Sequence, residues 1–582
     1  MADFDLIIRN GTVVDGTGAD RFLADVGVRE GRIVAVGPAL EGTADEIIDA
    51  GGCIVTPGFV DVHTHYDGQV TWDPILEPSA SHGVTTIVTG NCGVGFAPVR
   101  PGTEDWLIQL MEGVEDIPGA ALSEGIDWTW ETFPEYLDNL AQREWGMDVG
   151  CLVAHGAVRA YVMGERGARN EPATADEIEE MRRIVAEAVA AGGLGVSTSR
   201  TLAHTAMDGE PVPGTFAAED ELYGLARGCA DAGHGLLELA PMGSAGEDTV
   251  APHKEVDWMV KISKDTGVPV SFVLVQINDE PRLWKELMDR SAEAAAEGAS
   301  IHPQVAGRLN GILLGLEGLS PWRERPSWES IKELPLDELV AELRTPERRA
   351  AILSETPETD NPFSQFILGS MHRIYVLGDP PDYEPGPERT IKAIAEGMDR
   401  EVDDLLYDML LEDEGRALLL FPFLNYADGN GDALREMLTH PAGVIGLSDG
   451  GAHCGVICDA SQPTWLLTHW ARDRTRGEKL PLEFIVKKQT HDTARLFGFH
   501  DRGTLEVGAK ADINVVDLDN LTLRPPEVAR DLPAGGKRFV QFATGYKATI
   551  VNGVVTRRDD VDTGARPGRL VRAGRAPSPE RI

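Results

Sequence analysis

Residues 57–67 read PGFVDVHTHYD and predict a short β-strand that ends in two histidines. Successive side chains of a strand point to opposite faces, so His63 and His65, two positions apart, should project to the same side. Two imidazoles at one strand end could bind a divalent cation. A single His-x-His pair is also compatible with two solvated histidines, so the interpretation depends on other motifs.

Two further motifs follow strand-like runs. In VTTIVTGNCGVG, residues 84–95, Cys92 lies in a glycine-rich turn, where a thiolate ligand or a small buried hydrophobe are both reasonable. In GVIGLSDGGAH, residues 443–453, Asp449 follows an apolar run. We expect Asp449 both to bind the metal and to act as the catalytic base, and we expect the metal to be zinc, which accepts nitrogen, sulfur and carboxylate donors.

The centre of the chain alternates strand and helix patterns, which predicts parallel β/α units. A capping box, Thr174 to Glu177, begins a helix that ends near Gly192. Further predicted elements are a strand at 194–199, a helix at 219–232, a strand at 236–241, a helix at 256–264 and a strand at 268–276. We therefore predict an α/β fold, a TIM-type (β/α)8 barrel with active residues at the carboxyl ends of its strands. A doubly wound sheet is the alternative, although no GxGxxG follows a strand.

Both ends of the chain contain short β-rich runs separated by turn signals, which predicts a small antiparallel β-sandwich. The predicted domains are a sandwich from 1–57 plus 503–570, a barrel at 58–502 and a tail at 571–582, which we expect to be loosely held or to wrap around a neighbouring subunit. An insertion at about 284–388 interrupts the barrel, and we expect it to be either a lid or a helical excursion. Its aromatic residues could cover an apolar substrate: Trp284, Trp322, Trp328, Phe363 and Phe366.

Composition restricts the partners and the compartment. The 582 residues carry a net charge of −42, which opposes binding to nucleic acid or to an anionic membrane surface. Six cysteines in so long a chain do not form a disulfide scaffold, so a reducing compartment fits. No run approaches the roughly 18 apolar residues of a membrane span. We expect a cytoplasmic homo-oligomer that acts on a small molecule.

With these motifs in place, the chain resembles the amidohydrolase superfamily, and within it the N-acyl-D-amino-acid deacylases, also called D-aminoacylases. The resemblance rests on the motifs already quoted and on these: DLIIRNGTVVDGTG, LVAHGAVR, GLGVSTSR and GTLEVGAKADINVVD. It implies a metal-bearing barrel with a flanking β-domain. It further implies that His63 and His65 are ligands from the first strand, Cys92 a ligand from the second, and Asp449 the ligand and base of the last.

The resemblance also shows a departure. The family has further metal-binding histidines after its fifth and sixth strands, where this chain offers Glu238, Gln276 and Asn278. Glu238 could substitute as an oxygen donor, whereas amides are weak zinc ligands. Alternatively, His204 could rebuild the site. We therefore expect about one zinc per chain, with two as the alternative.

Three residues are predicted to bind the substrate: His155, Arg159 and His453. The predicted function is hydrolysis of a non-peptide C–N bond, with deacylation of an N-acyl-D-amino acid preferred. One alternative is hydrolysis of another acyl amide, or of a cyclic amide or imide. The other is a degenerate, metal-free barrel that serves as a binding protein.

Overall fold

The computed structural model describes residues 2–357, 359 and 362–574, with only the backbone described at 362–364. The strands are β1 (Phe4–Val13), β2 (Phe22–Arg29), β3 (Arg32–Gly37), β4 (Ala44–Asp49), β5 (Ile54–Pro57), β6 (Phe59–Asp61), β7 (Val84–Thr89), β8 (Asp148–Cys151), β9 (Val153–Ala154), β10 (Gly195–Ser199), β11 (Leu236–Ala240), β12 (Val270–Val273), β13 (Ile301–Val305), β14 (Asn310–Leu314), β15 (Tyr375–Val376), β16 (Leu419–Leu424), β17 (Val444–Ile445), β18 (Ile513–Val516), β19 (Thr522–Leu523), β20 (Glu527–Ala529), β21 (Arg538–Val540), β22 (Ala543–Thr544), β23 (Tyr546–Val551), β24 (Val554–Arg558) and β25 (Val561–Asp562).

The α-helices are α1 (Glu104–Glu115), α2 (Gly119–Gly125), α3 (Phe133–Leu140), α4 (His155–Met163), α5 (Glu165–Ala168), α6 (Ala175–Ala190), α7 (Glu219–Ala232), α8 (Ala251–Thr266), α9 (Leu283–Ala296), α10 (Pro326–Glu329), α11 (Leu336–Leu343), α12 (Pro346–Ser354), α13 (Pro362–Gly369), α14 (Ile391–Gly397), α15 (Val402–Leu410), α16 (Asp432–Thr439), α17 (Gln462–Trp465), α18 (Leu482–Lys487) and α19 (Thr493–Leu496).

The central strands form two parallel sheets, β6-β7-β8 and β17-β13-β12-β11-β10-β9. Leu152 alone separates β8 from β9, and its N–H donates to the Thr89 carbonyl at 2.8 Å, so the sheets are continuous there. At the other edge the His65 N–H donates to the Gly450 carbonyl at 2.8 Å, beside a parallel bridge between Thr64 and Gly450. With β8 and β9 counted as one strand, eight parallel strands are thus hydrogen-bonded in series. The segment that follows the first strand is also hydrogen-bonded to the segment that follows the last.

The predicted β/α alternation is confirmed in its parallel pairings and its helices. The Thr174 side chain accepts the Glu177 N–H while the Glu177 side chain accepts the Thr174 N–H, which is the predicted capping box at the start of α6. Its apolar residues, among them Ile184 and Val185, are buried because they share one face of the helix. Helices α7 and α8 and strands β10, β11 and β12 lie where the pattern placed them.

Strands from both ends of the chain make one nine-stranded sheet in the order β25-β24-β23-β18-β5-β1-β2-β3, with β4 paired to β1. The sheet has its own apolar core, which includes Ile8 of β1, Ile513 of β18 and Ile550 of β23. The expectation of a purely antiparallel sheet was wrong, because β1 pairs in parallel with both β4 and β5. Glu30 and Gly31, with φ of 51° and 68°, form a two-residue hairpin turn between β2 and β3.

The predicted start of the insertion, near residue 284, was too early. Helix α9 and strand β13 lie within the predicted range, and β13 pairs in parallel with β12 and β17. The excursion therefore follows Val305 and returns at Val444. Many of its apolar residues form a separate core, in which Trp322 stacks on Tyr407 with ring centroids 4.6 Å apart. Trp322 and Trp328 are at most 3% exposed and pack in this core.

The other three predicted lid aromatics lie in different parts of the chain. Trp284 is 2% exposed and packs in the main core, whereas Phe366 contacts Phe421 and Phe423 in the excursion. Phe363 lies outside the described side chains. The start of the predicted tail is also held, because Val571 N–H donates to the Val149 carbonyl at 2.7 Å. No helix in the described ranges is long and apolar enough to cross a membrane.

Candidate metal centre

The candidate ligands are presented by the carboxyl ends of three strands. His63 and His65 follow β6, Cys92 follows β7 and Asp449 follows β17. Cys92 and Asp449 have φ of 55° and 47°, a left-handed conformation that non-glycine residues seldom adopt. Such strained positions concentrate at functional sites. The turns therefore redirect both side chains toward the two histidines.

The four side chains converge on one point. Cys92 Sγ lies 3.4 Å from His63 Nε2. Asp449 Oδ1 lies 3.5 Å from His63 Nε2 and 3.8 Å from His65 Nε2. His63, His65 and Cys92 each offer a ligand atom within 4.8 Å of the others. Tetrahedral zinc, with bonds of 2.0–2.3 Å, would separate its ligand atoms by about 3.3–3.6 Å. The separations of Cys92 Sγ and Asp449 Oδ1 from His63 Nε2 lie within this range, so the donor set is compatible with a bound metal ion.

Burial differs across the cluster. His63, His65 and Cys92 are at most 4% exposed, whereas the Asp449 side chain is 18% exposed. Burial acts to raise the pKa of Asp449, but the nearby His65, His63 and His453 outweigh burial and hold this pKa below the ordinary range. Asp449 is thus an ionised carboxylate that solvent can reach.

Cys92 has the opposite electrostatic character. Burial, followed by the charges of Glu238, Glu115 and Asp449, raises the pKa of its thiol well above the ordinary value. In the protein without a cation, the sulfur therefore keeps its proton. A bound cation would displace that proton, because the thiolate is the form that ligates metals.

Glu238, named in the sequence analysis as a possible substitute ligand, lies beside this cluster. One oxygen, Oε2, accepts the Cys92 N–H at 3.0 Å, and the other, Oε1, lies 3.7 Å from His63 Nδ1 without a hydrogen-bond partner. Burial raises the pKa of Glu238 to about 7. Glu238 therefore positions the cysteine backbone and adds one buried carboxyl to the site.

Two residues that were not predicted from the sequence also contact the histidines. Gln304, on β13, places Oε1 at 2.7 Å from His63 Nδ1. Glu115, the last residue of α1, places Oε1 at 3.3 Å from His65 Nδ1. Glu115 is 1% exposed, and burial, together with Asp449, raises its pKa well above the ordinary value. Neither residue follows a motif, so no sequence signal marked them.

Two predicted substrate-binding residues are not available to a substrate. His155 Nδ1 contacts Thr198 Oγ1 at 2.8 Å and its Nε2 contacts Glu221 Oε1 at 2.9 Å. Arg159 also donates to Glu221, at 2.8 Å, and to the carbonyls of Gly167 and Glu171. Both residues are at most 1% exposed. Their polar atoms are used inside the protein, so the assignment is corrected to a structural one.

The remaining predicted residues differ in how they lie relative to the cluster. His453 lies beside the cluster, with Nε2 at 3.8 Å from Glu115 Oε2 and its side chain 24% exposed. His204 Nδ1 contacts Ser199 Oγ at 2.9 Å, and burial lowers its pKa to about 3. Gln276 bonds to Asp428 at 2.8 Å and Asn278 to the Phe423 carbonyl at 2.9 Å, so the structure does not bring these amides to the cluster.

The arrangement combines a metal-type donor set with one accessible carboxylate. Such a set can hold a cation in a mostly dry site and keep a base beside it. Solvent reaches the cluster on the side of Asp449 and His453. A substrate would approach from that side.

Comparison with known proteins finds a matching family and several similar proteins. A family model described as "Amidohydrolase family" matches residues 46–557. N-acyl-D-aspartate deacylase of Alcaligenes xylosoxydans xylosoxydans is 36% identical over 589 residues, covering 99% of this chain and 96% of that protein. D-aminoacylase of the same organism is 27% identical over 581 residues, covering 98% and 97%. A solved D-aminoacylase structure, described for the functional role of its binuclear metal center, has a TM-score of 0.62 and 25% identity, covering 98% of this chain and 100% of that one.

Proposed function

This chain belongs to the amidohydrolase family, and we propose that it hydrolyses the amide bond of an N-acyl-D-amino acid with the help of one bound zinc. The observation that carries the proposal is the convergence of His63, His65 and Cys92, whose ligand atoms lie within 4.8 Å of one another, with Asp449 Oδ1 3.5 Å from His63 Nε2. The D-amino-acid substrate is supported by the relatives, which are named as deacylases of such compounds.

His63, His65, Cys92 and Asp449 would hold the metal. When bound, it would supply positive charge that polarises a carbonyl and acidifies water. Asp449 accepts the proton of the attacking water, because it is an ionised carboxylate open to solvent. The same carboxyl then returns the proton to the leaving amine. His453, the other exposed side chain of the cluster, orients the substrate.

The remaining structural predictions are part of this proposal. The eight parallel strand runs would close into a TIM-type barrel, which is supported by hydrogen bonds at both edges of the sheet. We keep the β-domain at 1–57 plus 503–570 and the barrel at 58–502, with the excursion now placed after Val305. We also keep the prediction of a homo-oligomer.

A second candidate is hydrolysis of an uncharged acyl amide or a cyclic amide. One observation favours it: three buried or nearly buried arginines that follow strands of the parallel sheet are already paired. Arg159 lies 2.8 Å from Glu221, Arg200 2.8 Å from Glu255 and Arg308 2.9 Å from Asp459. A substrate carboxylate would have to compete with these partners, whereas an uncharged amide would not.

A substrate panel tests the proposal. Released amine would be measured for matched N-acetyl D- and L-amino acids and their carboxamides, and the carboxylic acid formed by ring opening would be measured for a cyclic imide, in each case with zinc-loaded protein. Turnover restricted to the free D-acids would support deacylation of N-acyl-D-amino acids. Preference for the carboxamides or the imide would favour the second candidate. The His63→Ala/His65→Ala double variant is the control, and activity that survives in it would refute the assigned site.

A further inference from the structure

The environment of His63 Nδ1 points to a residue outside the ligand set. Gln304 Oε1 lies 2.7 Å from this nitrogen, and Glu238 Oε1 lies 3.7 Å away, beyond hydrogen-bond distance. Gln304 is fully buried on β13. A Cβ at Gly446, the residue directly after the neighbouring strand β17, would come within 2.9 Å of Gln304 Oε1. Gly446 therefore leaves just enough space for the amide to reach His63.

A second contact fixes which end of the amide faces the histidine. Gln304 Nε2 donates to Ser271 Oγ at 3.0 Å. Ser271 Oγ in turn donates to the His302 carbonyl at 3.0 Å, and a carbonyl oxygen can only accept. The serine proton is therefore used, and its oxygen must accept from Gln304. A reversed amide would set two acceptors against each other at Ser271.

This chain of donors and acceptors determines the histidine tautomer. With Gln304 Oε1 as the acceptor, His63 Nδ1 must carry the proton. The lone pair then lies on Nε2, the nitrogen that is 3.4 Å from Cys92 Sγ. A ligating histidine is usually oriented in this way by a partner at its other nitrogen.

We propose that Gln304 is a positioning residue of the metal centre, held by Ser271, which keeps His63 in the tautomer that can ligate through Nε2. The inference rests on the proposed zinc centre. The neutral amide of Gln304, on the seventh parallel strand (β13), sets the tautomer of His63, which follows the first strand (β6), before any cation is bound.

Zinc affinity of the purified full chain, measured by competition with a chromogenic chelator, tests the proposal. Gln304→Met removes the acceptor at similar volume and should weaken zinc binding about 10- to 100-fold. Gln304→Glu keeps an acceptor and should restore affinity to within a few-fold of the parent protein. Ser271→Ala leaves Gln304 in place but frees its amide to reverse, so it should weaken binding several-fold.

Ser291→Ala is the matched control. Ser291 is a fully buried serine on α9 whose Oγ donates to the Leu287 carbonyl of the same helix at 2.7 Å. Its removal should leave zinc affinity unchanged. The inference is overturned if Gln304→Met binds zinc as tightly as the parent, or if Ser291→Ala weakens binding as much as Ser271→Ala.

Two outcomes separate the inference from the proposed function. A parent protein that does not bind zinc would overturn the metal centre and this inference with it. A parent that binds zinc while the Gln304 and Ser271 variants bind equally well would overturn this inference alone. Should Gln304→Met fail to fold, as judged by thermal unfolding, Ser271→Ala still decides the result, because it does not alter the side chain that contacts His63.

Discussion

Replacing Asp449 with asparagine separates the two roles assigned to this residue. Asparagine keeps the shape and one oxygen close to the positions of Oδ1, which lies 3.5 Å from His63 Nε2 and 3.8 Å from His65 Nε2. It has no negative charge and cannot accept a proton. The change should therefore remove the base while leaving much of the donor geometry in place.

The size of the effect follows from the surroundings of Asp449. Glu115 and Glu238 are also near, but burial raises the pKa of both, and both side chains are at most 2% exposed. Neither is an ionised carboxylate open to water, so neither can replace Asp449 efficiently. Loss of general-base catalysis should lower kcat at least ~10²-fold, which corresponds to about 2.7 kcal/mol in the activation barrier.

The assay is steady-state turnover of zinc-loaded protein, with bound zinc measured in the same samples. Asp116→Asn is the matched control, because Asp116 lies next to Glu115 and its Oδ2 accepts the Gly455 N–H at 2.8 Å, a bond that the asparagine oxygen can keep. The control should retain activity within about threefold. Near-normal kcat for Asp449→Asn at full zinc occupancy would show that another group is the base.

Three further outcomes follow from the same contacts. Glu115→Ala should weaken zinc binding about tenfold in chelator competition, because it leaves a cavity beside His65, whose Nδ1 lies 3.3 Å from Glu115 Oε1, whereas Glu115→Gln keeps the volume and should not. Zinc affinity should rise between about pH 6 and 8, because burial raises the pKa of Cys92 and its proton must leave on binding; an affinity independent of pH would contradict thiolate ligation. Asp148→Asn should cost on the order of 3–5 kcal/mol in unfolding free energy, because Arg502 and Lys510 lose their shared partner at 2.7 and 2.6 Å. Burial acts to raise the pKa of Asp148, but Lys510 and Arg502 outweigh burial and lower this pKa from 3.8 to about 2. Thermal melts should therefore show the stabilisation above about pH 4 and its loss as the pH falls through about 2.

The sequence predicted those parts of the molecule that depend on local pattern. Hydrophobic periodicity and the Thr174 capping box located α6, and the alternation of strands and helices gave the parallel units. The strand-end motifs also gave His63, His65, Cys92 and Asp449, because each follows an apolar run into a glycine-rich or otherwise distinctive turn. A side chain that follows a parallel strand is placed at the same edge as its counterparts, so these positions follow from topology.

Prediction failed where the partner is distant in sequence and carries no motif. His155 follows a strand, as the four candidate metal ligands do, yet Glu221, 66 residues away, contacts its Nε2. Gln304 reaches His63 across 241 residues, from an ordinary strand. Glu115 looks like one more acidic residue of an amphipathic helix. Which side chain meets which is decided by tertiary packing, and a single sequence does not contain that information.

The surroundings of Glu238 bear on the proposed count of one metal. Its Oε2 accepts the Cys92 N–H, which leaves Oε1 without a hydrogen-bond partner. In the described part of the chain, Gln276 and Asn278 bond to other groups, and Nδ1 of His204 contacts Ser199. Burial also raises the pKa of Glu238 to about 7, so much of this carboxyl is neutral near neutral pH. Zinc sites normally use at least three protein ligands, which one carboxyl does not provide. The surroundings of Glu238 therefore support the proposal of a single metal.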